Sequence, residues 1–318
     1  MTGLKHLNRI LEWVGSNSAL AALLVLFVVA SAFVPNFFGE RNFVAILYQY
    51  SIIGFLALGQ LLVILTAGID LSQGSLVAFT SIVVAVLMNR YGVFPAIAGG
   101  LAASTFLGVI SGLIVSRTRI PPFVVTLGML GVGRGLALVI SDAKPVSVDV
   151  EAFTNFGRAN LGGVPVSAIL LVLVSLLLLY FVKYRRLGRH IYAVGGSEES
   201  ARLSGVDVKK VKLLVYALSG LLTAIGGVIW TARLHSGSPI GANNYELESI
   251  AAVIVGGGSL FGGVGTVTGT LVGVVLFGVI NSVLNLVGIS PYWQGTVKGV
   301  LILLAVALSQ VRRPSRLR

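Results

Sequence analysis

Cysteine is absent from this 318-residue sequence, so disulfides and thiolate metal sites are excluded. Charge is scarce. Only 11% of the residues are Asp, Glu, Lys or Arg, where a soluble globular chain carries roughly 25%. There are eleven acidic residues and three histidines. His6, His190 and His235 have no ligand-like spacing, which leaves no metal site to assign. No G-x-x-x-x-G-K-[ST] run occurs, so the chain has no Walker A route to ATP. It carries no catalytic constellation and is not read as an enzyme.

What fills the space is apolar. Hydrophobic residues make up 56% of the chain and the mean hydropathy is +0.96. One soluble core cannot hide that excess, because a folded surface still needs polar cover; a lipid bilayer can. Forty glycines suit close helix packing in a membrane. The net charge of +12 would suggest nucleic acid in a soluble protein. Here its distribution over the loops matters more, and no nucleic-acid partner is expected.

A spanning helix needs about 20 mostly apolar residues. Ten stretches qualify: Ser18–Val34, Ala45–Gly68, Leu71–Met88, Phe94–Val115, Pro122–Ser141, Val166–Val182, Val211–Arg233, Leu247–Leu260, Gly265–Gly288 and Trp293–Gln310. The third and eighth are short or Gly-interrupted and could be re-entrant rather than full spans. The expected fold is therefore all-α: a polytopic membrane protein of about ten helices forming one domain over residues 1–318. Lys and Arg concentrate in short cytoplasmic loops. With the N-terminus inside, that side collects Lys5, Arg9, Arg117, Arg119, Lys183, Arg185, Arg186, Arg189, Arg202, Lys209, Lys210, Lys212, Arg312, Arg313, Arg316 and Arg318. Both termini are then cytoplasmic, with an N-terminal segment 1–17 and a basic tail 311–318. The first span has the basic flank and small-residue stretch Ala30-Ser31-Ala32 of a signal peptide. Removing it leaves nine spans and breaks the parity, so it is read as retained.

The one long cytoplasmic loop, 183–212, contains a bounded short helix. Ser197 is a good N-cap. Glu198 and Glu199 put negative charge in the first turn, and Arg202 puts positive charge in the last. Gly205 can supply the left-handed residue that ends it, and Asp207 caps the next helix. The enclosed residues are Ser200, Ala201, Leu203 and Ser204. So short a helix needs packing partners. It is either a docking element for a cytoplasmic partner or part of a solvated connector whose charges only fix topology.

Four motifs carry a resemblance. They are GIDLSQGS at Gly68–Ser75, LGMLGVGRGLALVISDAKPV at Leu127–Val146, RLGRHIYAVGGSEESARLSGV at Arg186–Val206, and YELESIAAVIVGGGSLFGGVGTVTGTLVG at Tyr245–Gly273. Together they resemble the permeases of ribose-type sugar ATP-binding-cassette importers, within the branched-chain amino acid/monosaccharide permease superfamily, from about Pro35 to Ala307. That resemblance implies a translocation path for a small sugar across the inner membrane, a second permease copy, a cytoplasmic ATPase carrying ATP and Mg, and an extracytoplasmic sugar-binding protein. It implies no cofactor on this chain. It also makes Ser197–Gly205 the coupling helix that sits in the ATPase. Ser197 departs from the Asn common in the family, and both residues cap well.

Several polar residues fall inside apolar stretches. Asp70 either caps a helix starting at Leu71 near the cytoplasmic surface or, with Ser72, supports the pore lining; an intramembrane carboxylate is a functional candidate by default. Gln60, Asn281 and Asn285 are amides that could pair with a neutral polyol, or could simply bond helix to helix. Asn281 and Asn285 share a helix face. Arg134, Glu248 and Lys298 are expected to snorkel or pair toward outer helix ends. The competing functions are a permease of the same superfamily for a nucleoside or branched-chain amino acid, an ion-coupled secondary transporter, and a non-transporting scaffold. A secondary transporter usually carries several intramembrane acids, and here only Asp70 is available.

Overall fold

In the computed structural model, residues 18–290, 292–300 and 303 are described. The basic residues Lys5 and Arg9, the tail 311–318, and half of the stretch expected at Trp293–Gln310 lie outside them.

The chain forms α1 (Ser18–Phe33), α2 (Glu40–Leu65), α3 (Gln73–Tyr91), α4 (Val93–Arg117) and α5 (Pro122–Ser141). A connection with little helix follows, with β1 (Val146–Ser147), α6 (Glu151–Arg158), β2 (Asn160–Leu161) and β3 (Val164–Pro165). Next come α7 (Val166–Tyr184), α8 (Arg186–Gly196), α9 (Glu198–Leu203) and α10 (Val208–Leu234). The chain continues through β4 (Ser236–Gly237), α11 (Tyr245–Val255) and α12 (Val267–Leu286), and residues 292–300 are helical. Seven of these helices, α2, α3, α4, α5, α7, α10 and α12, are long and apolar enough to cross a membrane.

Burial divides them into an inner and an outer set. α2 is 78% buried over its most apolar window, whereas α4 and α5 are 28% buried. The outer set turns Leu127, Val139, Leu173 and Leu177 outward, which lipid tolerates and water would not. A close crossing joins α4 to α10. A Cβ on Gly108 would lie 2.5 Å from the Tyr216 carbonyl, and one on Gly220 would lie 2.7 Å from that of Ser104. Small residues here let the two backbones approach directly.

The two ends of the bundle differ. At one end β1 pairs antiparallel with β4, Val146 opposite Gly237 and Ser147 opposite Ser236. Asn89 Nδ2 of α3 donates to the Ser147 carbonyl at 2.9 Å. α6 seats Phe153 in the bundle and runs its Gly157 against the α10 backbone at Ala232. At the other end lie α8 and α9, reached by α7 and left by α10.

The eighth stretch is open, from its sequence, between a full and a re-entrant span. α11 has only 11 residues, about 16 Å of helix against roughly 30 Å of hydrocarbon. The Tyr245–Val255 helix is not a full span, and the expected Leu247–Leu260 stretch breaks at Gly256. A non-helical segment, 238–244, leads into α11. The third helix begins at Gln73 rather than Leu71. The chain first climbs back from Leu65 as a non-helical segment, 66–72, until Gln73 lies beside Leu56.

Candidate translocation site and cytoplasmic coupling face

Two helix starts meet deep in the bundle, those of α3 and α11. The residues between them form a directed chain of hydrogen bonds. Ser249 Oγ donates to Gln73 Oε1 at 2.6 Å, Gln73 Nε2 donates to Ser219 Oγ at 3.2 Å, and Ser219 Oγ donates to Asp70 Oδ2 at 2.8 Å. Gln73 Nε2 spends its second proton on the Leu56 carbonyl at 2.9 Å. The other Asp70 oxygen accepts from Ser72 N–H at 3.0 Å and Ser72 Oγ at 2.6 Å. Gln60 faces the Asp70 backbone; with its amide assigned so that donor meets acceptor, its nitrogen donates to the Asp70 carbonyl at 3.0 Å and its oxygen accepts the Asp70 N–H at 3.2 Å. All of these side chains are buried.

The Asp70 expectation is corrected accordingly. It does not cap a helix at Leu71 near the cytoplasmic surface. Its carboxyl is 2% exposed, tied to Ser219 in the middle of α10, and it shapes the turn into Ser72, the residue before α3. Its donors are hydroxyls and a backbone amide, with no cation bonded to it among the described residues.

Gln60, Asp70 and Ser72 are thus brought together, and Asn281 and Asn285 are not. Asn281 is buried with its Oδ1 unpartnered. Asn285 is exposed and accepts from Gln294 Nε2 at 2.9 Å. Gln73, Ser219 and Ser249, which sequence reasoning did not single out, complete the central chain. Gln73 and Ser249 stood inside the quoted motifs, whereas nothing near Ser219 marked it.

The remaining charged candidates find partners. Arg134 Nη1 donates to the carbonyls of Pro239 and Gly241 at 2.8 and 2.9 Å, and Nη2 donates to Asn243 Oδ1 at 2.8 Å. It thereby ties α5 to the 238–244 loop. Lys298 Nζ pairs with Glu248 Oε1 at 2.6 Å, and Tyr50 OH donates to Glu248 Oε2 at 3.3 Å. An apolar groove of about 510 Å³ lies between α1, α2, α7 and α12, walled by Phe27, Ile46, Leu171 and Val275 among others. No charged side chain lines it, so it suits hydrocarbon and not a polyol.

At the α8–α9 end, local chemistry sets each boundary. Ser197 Oγ accepts the Ser200 N–H at 3.2 Å. Ser197 is also the residue that ends α8. Glu199 pairs with Arg202 at 3.2 Å on the surface. Gly205 takes φ +82°, the left-handed turn that only glycine adopts freely. Asp207 Oδ1 accepts the Lys210 N–H at 3.0 Å and starts α10. Lys212 Nζ reaches Glu198 at 2.6 Å, bracing α9 on α10. Ala201 is the buried residue of α9, while Leu203 is 79% exposed. α8 adds an amphipathic turn to this face, with Ile191 and Val194 buried.

Residues 42–306 match the family model of the branched-chain amino acid transport system / permease component. The chain is 42% identical over 306 residues to the ribose import permease protein RbsC of Escherichia coli (strain K12), covering 95% of each. It is 40% identical to the protein of the same name from Bacillus subtilis (strain 168), covering 96% of this chain and 95% of that one. Against the D-allose transport system permease protein AlsC of Escherichia coli (strain K12) the identity is 37%, over 96% and 95%. No solved structure matches.

Proposed function

The chain belongs to the family of branched-chain amino acid transport system permease components, and from that membership we propose that it is the membrane-spanning subunit of an ATP-driven importer that carries a small, ribose-like monosaccharide across the inner membrane. The observation that carries the substrate class is the match along 95% of the chain to a ribose import permease. Allose and arabinose permeases stand among the relatives as well. Those names favour a sugar over a nucleoside or a branched-chain amino acid.

Ten traverses with both termini cytoplasmic remain the topology that suits the loop charges. The eighth combines the 238–244 loop with α11, which keeps the parity although α11 alone is too short. The α8–α9 end then faces the cytoplasm. A docking role for Ser197–Gly205 is supported by its capped ends, its exposed Leu203 and its direct junctions with α8 and α10. Motion produced in a separate ATPase would enter there as a rigid-body displacement. The extracytoplasmic sugar-binding protein would meet the opposite end.

For the path, the cluster of Gln60, Asp70 and Ser72 is the favoured wall, because helices interrupted in mid-membrane mark substrate routes in other transporters. Asn281 and Asn285 lie apart from it. A homodimer of permeases would enclose the route between copies. Co-purification from the native host tests the partnership. The ATPase should accompany the wild-type chain and be reduced for a Glu199→Ala/Arg202→Ala variant; a wild-type chain that retains no ATPase contradicts the proposal.

A further inference from the structure

The end of α8 is locked, backbone against backbone, to the segment that joins α11 to α12. A Cβ on Gly195 would overlap the Leu65 carbonyl oxygen and lie 2.5 Å from the Gly263 nitrogen. One on Gly262 would lie 2.6 Å from the Gly195 carbonyl. Gly263 N–H donates to the Leu65 carbonyl at 3.0 Å. Beside this knot, Tyr192 OH donates to the Gly265 carbonyl at 2.7 Å. Surfaces that close leave no free travel, so one side cannot move without the other.

The segment 256–266 is also tied to α11 without slack. Gly256 and Gly258 N–H groups donate back to Ala252 and Val253 at 2.9 and 2.8 Å, and Ser259 and Val264 close the turn at 2.9 Å. α11 in turn carries Ser249, the first donor of the chain that ends on Asp70. At the other side, Ser197 joins α8 to α9 with no intervening loop.

We propose that Tyr192, Gly195 and Gly263 form the joint through which α9 moves α11, and through α11 the Gln73–Ser219–Asp70 chain. The inference rests on the importer reading above and assigns these three as positioning residues for it. A second route exists, from α9 into α10 through the Glu198–Lys212 pair; the joint is the route that reaches α11. Burial pushes the Tyr192 phenol above its ordinary value. A raised phenol pKa keeps the neutral donor form, so this bond persists throughout the neutral pH range.

The test uses the full chain assembled with its ATPase and binding protein in vesicles, with D-ribose uptake and ATP hydrolysis measured together. Gly195→Ala should retain the ATPase and its hydrolysis while uptake per ATP collapses. Tyr192→Phe, which keeps size and burial, should lower uptake per ATP about five-fold, the change expected from losing one ordinary hydrogen bond. Gly196→Ala is the internal control, since a Cβ there meets nothing within 4 Å; it should couple like wild type. Should Gly195→Ala fail to assemble, Tyr192→Phe still decides. Equal coupling ratios for Tyr192→Phe, Gly196→Ala and wild type would overturn the joint and leave α10 as the route. A wild-type complex without ATP-dependent uptake would instead overturn the importer reading, and the joint with it.

Discussion

The two interrupted segments of the bundle are held by opposite means. Residues 66–72 are fixed by side chains: Gln60 clasps the Asp70 backbone, and Asp70 gathers Ser72 and Ser219. Residues 256–266 are fixed by the want of side chains, as Gly256 packs on Gly269, Gly262 on Gly195, and Gly263 bonds to Leu65. The first arrangement concentrates hydroxyl, amide and carboxylate groups in mid-bundle, where each needs a partner. The second is mostly backbone against backbone, with the Tyr192 hydroxyl tying in at Gly265. A polar site that can exchange hydrogen bonds suits passage of a polyol, and a glycine knot suits transmission of force.

One deletion and three substitutions would break or sharpen that contrast. The largest effect belongs to the face that feeds the knot. Deleting Ser197–Gly205 should abolish uptake while membrane insertion, read by protease accessibility of the loops, stays normal; retained uptake would detach the glycine segment from any coupling role. Next comes the side-chain-held segment. Asp70→Ala strands the Ser72 and Ser219 donors, a loss of about 1–3 kcal/mol, which should appear as a lowered thermal midpoint of the detergent-solubilised protein. Asp70→Asn, whose carbonyl oxygen can still accept from Ser72 while its NH2 faces the Ser219 hydroxyl, should lose less. The smallest effect is expected from Ser249→Ala. It removes only the first donor of the chain, and interhelical hydrogen bonds in membranes average about 0.6 kcal/mol. A thermal shift for Ser249→Ala as large as that for Asp70→Ala would mean that α11, and not the carboxylate, organises the centre.

Much of this was legible in the sequence, and the division follows physical range. Long apolar runs announced most of the helices, since lipid demands a length that composition reveals. α9 was legible because its determinants are local: Ser197, Glu198, Glu199 and Gly205 act within a turn or two of themselves. α8 was missed although Leu187, Ile191 and Val194 sit at helical spacing, because its glycines and flanking arginines read as loop. The half-helix α11 could be suspected but not settled, for a different reason. Gly256–Gly258 can end a helix or pass through a packed one, and only the approach of Gly269 and Gly273 decides it. Asp70 could be flagged but not placed, because its partner Ser219 lies 149 residues away. The Glu248–Lys298 pair spans 50 residues and was foreseen only as a tendency to pair.

The most direct trial of the account is uptake of radiolabelled D-ribose into vesicles holding the chain and its ATPase in right-side-out orientation, with ATP trapped inside and the binding protein added outside. Accumulation should require ATP and all three proteins, and should persist when sodium and proton gradients are collapsed. Accumulation by the chain alone, driven by either gradient and indifferent to ATP, would contradict it.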